Sequence, residues 1–178
     1  MTEEQLKYPI GKFEKPELIT RDILSKWILE ISDFPARLKN EVTYLTDEQL
    51  DTQYRPGGWT IRQVVHHCAD SHMTSFTRFK LALTEEKPTI KPFLEDRWAA
   101  LSDGKTAPIE PSLMVLEGLH NRWVSLLNSL TEEDLHKKFI HPEQGREFIL
   151  NENIGIYAWH GNHHLAHITQ LKKIKKWK

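Results

Sequence analysis

An all-α four-helix bundle with a crossover connection and short extra helices is the architecture to expect from this chain. Four long segments place apolar residues at helical spacing, period-two alternation is almost absent, and the clearest loop signals fall where helices would start or stop. Some connecting stretches exceed the roughly 2–8 residues of a simple up-down bundle, so a crossover is expected. With 178 residues and no repeat, low-complexity tract or dividing linker, the chain reads as a single domain over residues 1–178.

The elements follow in order. Residues 1–16 carry Pro9, Gly11 and Pro16 and read as an extended N-terminal arm. From Glu17 the residues Leu18, Ile19, Ile23, Trp27, Ile28 and Ile31 share one helical stripe, and Pro35 is expected to kink or restart that helix, with Ser32 or Asp33 as the new cap. Thr46 and Gln49 have the spacing of a capping box. After the Tyr54-Arg-Pro-Gly-Gly58 loop, Thr60 caps a second long helix, with Gln63 closing the box and Trp59 and Val64 forming the hydrophobic staple; it should run to about Leu83. A proline-punctuated stretch, Lys87-Pro88 to Lys91-Pro92, leads to a short helix near residues 93–101 and then a loop from Asp103 to Pro111. The third long helix spans roughly residues 111–130, and Thr131 opens another short one. Residues 141–146 read as a loop, residues 147–150 are too few to assign, and a last helix runs from near Asn151 almost to the end.

Composition narrows the function. Hydrophobic residues at 39% and charged residues at 28% give the balance of a soluble globular protein, and no apolar run approaches the ~20 residues that cross a bilayer. The chain begins acidic, without the basic-then-apolar order of a signal peptide. The single cysteine, Cys68, permits no internal disulfide and fits a reducing cytoplasm. A net charge of −1 lacks the basic excess that phosphate contacts need, so neither nucleic acid nor membrane is an expected partner. Glycine-rich phosphate loops are not expected from 8 glycines, whereas ten histidines and six tryptophans stand out. Imidazole chemistry is therefore where function is to be sought.

The last helix carries Trp159-His-Gly-Asn-His-His-Leu-Ala-His167, which offers two interleaved i,i+4 pairs, His160/His164 and His163/His167. Residues four apart share a helix face, which lets two imidazoles grip one metal ion. On a helical projection His164 lies about 60° and His160 about 100° from the apolar direction, so this pair lines the shoulder of the core, while His163 faces solvent and His167 is borderline. A third ligand should come from the second long helix. There His66 projects outward, His72 sits near the middle of the apolar face, and His67 lies on the shoulder with Ser71, Thr74 and Arg78. A site cut into the bundle edge favours His67, but periodicity leaves His72 open. A lone helical histidine is usually a surface or satisfied core residue, and in a chain this rich some pairs arise by chance. Cys68 points into the apolar face and reads as core.

Gly58-Trp-Thr-Ile-Arg-Gln-Val-Val-His-His67, with Cys-Ala-Asp70 after it, resembles the start of the second helix of the DinB/YfiT family, and Trp159-His160 with His164, continuing Leu-Ala-His-Ile-Thr-Gln170, resembles that family's last helix. The resemblance spans essentially the whole chain. It implies a crossover four-helix bundle, a homodimer, and one divalent ion held by His67, His160 and His164. Members are labelled metal-dependent hydrolases, and better-characterised ones move thiols such as mycothiol or bacillithiol. The expectation is thus a metal-dependent enzyme acting on a small-molecule substrate, leaning to a bacillithiol-type S-transferase. A hydrolase using activated water is the alternative, and a metal-binding interaction module the non-enzymatic one.

Three neutral imidazoles leave a cation its full charge and at least one open position, suiting Zn in the cell and accepting Ni, Co or Fe. Such a centre brings a bound water to a pKa of about 7 or deprotonates a bound thiol. His-Gly-Asn-His-His lacks the glutamate of the His-Glu-x-x-His metalloproteases. Asp70, one turn beyond His67, is the candidate base or imidazole partner, and Arg78 the candidate receiver of an anionic substrate or co-substrate.

Overall fold

A computed structural model describes residues 2–177. Its elements are α1 (Glu3–Lys7), α2 (Arg21–Val42), α3 (Asp47–Leu50), α4 (Ile61–Thr84), α5 (Glu95–Ala99), α6 (Ser102–Thr106), α7 (Glu110–Asn128), α8 (Glu132–Leu135), β1 (Lys138–His141), β2 (Arg146–Ile149) and α9 (Leu150–Lys175). None of these helices is long and apolar enough to cross a membrane.

Threonine starts most of them. Thr20, Thr46, Thr60 and Thr131 each accept the amide three residues on, and Gln49, Gln63 and Asp134 return the bond to complete capping boxes. The same chemistry at Thr2 and Gln5 converts part of the expected extended arm into the single helical turn α1. The first long helix begins at Arg21, not Glu17, because Thr20 is its cap, and Leu18 is left outside it at 71% exposure.

Pro35 neither breaks nor restarts α2, which runs through it. A mid-helix proline normally costs about 3 kcal/mol, because it deletes an amide and crowds the carbonyl four residues back. That carbonyl belongs to Ile31, and here it accepts a 2.6 Å hydrogen bond from Nδ1 of His120 on α7. A tertiary donor thus replaces the missing amide, and the proline ring itself is buried.

The bundle has the crossover order that was expected. α2 packs on α7 and α9, and α4 packs on the same two, so α2 stands diagonal to α4, and α7 to α9. The connections over residues 43–60 and 129–149 therefore cross an end of the bundle. The second carries an unforeseen hairpin, β1 paired antiparallel with β2 in the register Phe139↔Phe148. Strands of four residues are too short for a period-two signal, but Phe139 and Phe148 stack at 5.4 Å and cover one end of the core. The start of the loop expected from Asp103 is instead part of α6, which spans Ser102–Thr106.

Small residues set the α2–α9 approach. A Cβ on Gly155 would lie 2.6 Å from the indole of Trp27, and one on Gly161 would lie 2.9 Å from the ring of Phe34. We expect Gly155→Ala to destabilise the protein by about 1–3 kcal/mol in urea unfolding, because a rigid indole must move, despite the better helix propensity of alanine. An unchanged or higher midpoint would show that Trp27 yields freely.

Candidate metal centre

α4 and α9 are neighbours, and the shoulder of each brings histidines to their seam. Ligand-capable atoms of His67, His160 and His164 lie within 4.8 Å of one another. Nε2 of His67 and Nε2 of His160 face each other at 3.3 Å, and the ring centroids of His164 lie 4.8 and 4.5 Å from those of His67 and His160. Two imidazole nitrogens at that separation, with Nδ1 of His164 buried and without a hydrogen-bond partner, fit a shared divalent cation well. Burial holds all three rings neutral: the His67 pKa falls from 6.5 to about 3, and those of His160 and His164 are also driven well down, first by desolvation and then by neighbouring imidazoles. Neutral rings are the form that binds metal.

His72, the other candidate third ligand, is fully buried and stands outside this group. Its Nε2 lies 3.0 Å from Nδ1 of His160, and its Nδ1 lies 2.8 Å from Nε2 of His120. It packs between the two apolar clusters of the core, against Phe34 at 5.1 Å and Trp123 at 6.0 Å.

Two histidines fall where the helical projection did not put them. His163, expected in solvent, is buried beside Trp159 and Tyr8, since the segment after α1 lies across the outer face of α9. His167 Nε2 donates to the Lys7 carbonyl, and Trp159 Nε1 donates to that of Gly11. His163, His164 and His167 form a second close group on this face, sharing His164 with the first. His66, expected to project outward, is covered by the 102–112 stretch, with Ser112 Oγ at 2.8 Å and the Ala107 carbonyl at 3.2 Å. A projection of one helix registers only that helix's own apolar face, and both burials come from segments that pack elsewhere on it. Cys68 is buried core as expected, and desolvation raises its pKa, leaving an unreactive thiol.

Beside His160 opens a cavity of about 520 Å³, lined among others by Ser71, Arg78, Phe93, His141, Asn153 and Tyr157. Arg78, named from the sequence, therefore reaches the site, and its Nε is buried without a partner. Asp70 does not line the cavity or join the histidine group. Burial, then the charge of Asp103, raise its carboxyl pKa to about 6. Sequence reading missed Tyr157, whose hydroxyl lies 3.3 Å from Ser71 Oγ, itself 3.5 Å from Nε2 of His160. Its position three residues before His160 was the only available signal.

A helical bundle whose second and last long helices meet in a histidine cluster has the make-up of a metal-site protein, and the comparisons agree. The chain belongs to the DinB superfamily, whose pattern matches residues 30–168. It is 57% identical over 171 residues, 96% of this chain and 98% of the other, to a "putative metal-dependent hydrolase" of Oceanobacillus iheyensis. A Bacillus cereus protein of the same description is 56% identical over 97% of this chain and 98% of its own. The solved structure of YfiT from Bacillus subtilis, described as a probable metal-dependent hydrolase with an unusual four-helix bundle topology, superposes with a TM-score of 0.96 at 48% identity, covering 98% of this chain and 99% of that one.

Buried neutral imidazoles make stability pH-dependent. In the unfolded chain they titrate near 6.5, whereas in the metal-free fold His120 and His167 titrate at about 4 and His67 and His163 at about 3. Falling pH therefore protonates the unfolded state first, so stability present above 6.5 is lost as pH drops toward 3. Chemical unfolding of metal-free protein should show stability falling by about 1.4 kcal/mol per pH unit for each such histidine below pH 6. A flat profile between pH 7.5 and 5 would contradict this, on the same linkage.

Proposed function

We propose that this protein is a metal-dependent hydrolase in which His67, His160 and His164 hold one divalent cation and Arg78 receives an anionic part of a small-molecule substrate. The observation that carries it is the convergence of three neutral imidazoles, one of which, His160, lines a cavity that also holds a partnerless guanidinium nitrogen. The names of close relatives support the same reaction class.

A divalent cation with an open position supplies positive charge that makes water, or a thiol, an effective nucleophile near neutral pH. The chain's own groups do the rest. His67, His160 and His164 offer only neutral nitrogens, so the charge of the cation is not offset by a carboxylate. The Ser71 hydroxyl, 3.5 Å from Nε2 of His160, and the Tyr157 hydroxyl beside it are placed to donate to oxygen that gains negative charge. Arg78 orients the substrate through charge-assisted hydrogen bonds. Trp59 at 4.5 Å and Phe93 at 6.3 Å from the His67 ring screen that ligand from water. Asp70, outside the cavity, has no role in this scheme. An all-imidazole set suits zinc and accepts nickel.

The test is metal analysis with an ester and electrophile screen in the presence and absence of bacillithiol or cysteine. His67→Ala, His160→Ala and His164→Ala should each lose stoichiometric metal and turnover, while full metal content in all three would overturn the assignment. Arg78→Ala should retain metal and raise KM for anionic substrates about 10- to 100-fold, the worth of one charge-assisted bond. Turnover that occurs only with added thiol would replace hydrolysis by thiol transfer at the same site.

A further inference from the structure

The hydrogen bonds behind His160 form one continuous line. The Ile31 carbonyl on α2 meets His120 Nδ1 on α7 at 2.6 Å, His120 Nε2 meets His72 Nδ1 on α4 at 2.8 Å, and His72 Nε2 meets His160 Nδ1 on α9 at 3.0 Å. We propose that His72 and His120 are positioning residues which, anchored on the carbonyl that Pro35 frees, hold His160 in the single tautomer that turns a bare Nε2 toward the metal. This inference rests on the metal reading above and assigns a task to residues that touch neither metal nor substrate.

The direction of the line follows from its end. A carbonyl only accepts, so Nδ1 of His120 must donate. A neutral His120 then accepts at Nε2, which makes His72 donate from Nδ1 and accept at Nε2, which in turn makes His160 donate from Nδ1. Three neutral rings own three N–H protons, and the three gaps consume them all, so none is left for Nε2 of His160. Burial keeps the rings neutral, because His72 and His120 lie inside the core, where a charged imidazole would lose its hydration. On the metal side, Ser71 Oγ at 3.5 Å is able to donate to that bare nitrogen, and His67 Nε2 stands 3.3 Å away.

Pro35 completes the device. Had residue 35 an amide, it would compete for the Ile31 carbonyl in the ordinary helical ladder. Proline has none, and the carbonyl is left for His120. Metal-binding histidines usually lean on a carboxylate, a water or a carbonyl directly. Here two further imidazoles stand between ligand and carbonyl, and the line ends on a neutral group that adds no compensating negative charge.

The decisive measurement is the nitrogen-15 spectrum of the metal-free protein, in which N–H and bare imidazole nitrogens differ plainly in shift. His160 should be protonated at Nδ1 alone, as should His72. His120→Leu removes the relay while keeping an apolar side chain, and should admit the Nε2–H tautomer at His160 and weaken Zn²⁺ binding about 10- to 100-fold by calorimetry. His120→Gln, whose amide can donate to Ile31 and accept from His72, should restore both the tautomer and most of the affinity. A merely structural His120 would leave the tautomer and Zn²⁺ affinity of folded His120→Leu unchanged, and that result overturns the inference. So does Nε2–H at His160 in the unsubstituted protein, which needs no variant to fold. Unsubstituted protein that binds no Zn²⁺ would overturn the metal reading and this inference with it, whereas normal Zn²⁺ binding with the wrong tautomer overturns only the inference.

Discussion

Burying imidazole without burying charge is the constraint around which this bundle is organised. A neutral ring has one donor and one acceptor, and in a low-dielectric core each unmatched one carries a penalty of roughly 1–3 kcal/mol. The core meets that demand by running a polar line through all four long helices, from Ile31 on α2 through His120 on α7 and His72 on α4 to His160 on α9. Because each helix contributes one member, the line ties the bundle's relative helix positions to the geometry of the histidine cluster.

The apolar packing serves the same arrangement. Phe34 stacks on His72, and Trp123 meets it edge-on, so the central imidazole is clamped between the two halves of the hydrophobic core. Gly155 and Gly161 allow Trp27 and Phe34 to press against α9, which brings α2 close to the helix that carries His160 and His164. Elsewhere a buried Arg62 bonds Asp51 and Asp47 and the Ala107 carbonyl, tying the crossover around α3 and the stretch after α6 to the start of α4. That stretch is also what covers His66. The irregular connections thus close the polar accounts that the long helices leave open.

The two faces of α9 divide the chemistry. One side meets α4, where His160 and His164 approach His67 and His160 lines a cavity shared with Arg78, Tyr157 and Ser71. The other lies under the N-terminal segment, where Lys7 and Gly11 offer carbonyls to His167 and Trp159. A helix wrapped on both sides shows little amphipathic contrast, which is why the projection of α9 misplaced His163.

Local rules written within four or five residues were legible in the linear chain. The threonine caps, the extents of α4 and α9, the all-α class and the i,i+4 histidine pair depend only on helical period and side-chain-to-backbone bonds of short reach, and α1 obeys the same rule at a capping box left unread. His67 was singled out on its helix shoulder, and Arg78 on the same stripe, for the same reason. What no local rule contains is the partner. Pro35 looks like a helix breaker until His120 arrives from α7 to take up the Ile31 carbonyl, and His72 looks like a rival ligand until it is seen bonded to His120 and His160. His66 and His163 look exposed until remote segments cover them, and Asp70 looks like a base until the cavity opens on the Arg78 side. Hydrogen bonds and burial between residues tens of positions apart depend on how helices meet, and that is decided only when the whole bundle packs.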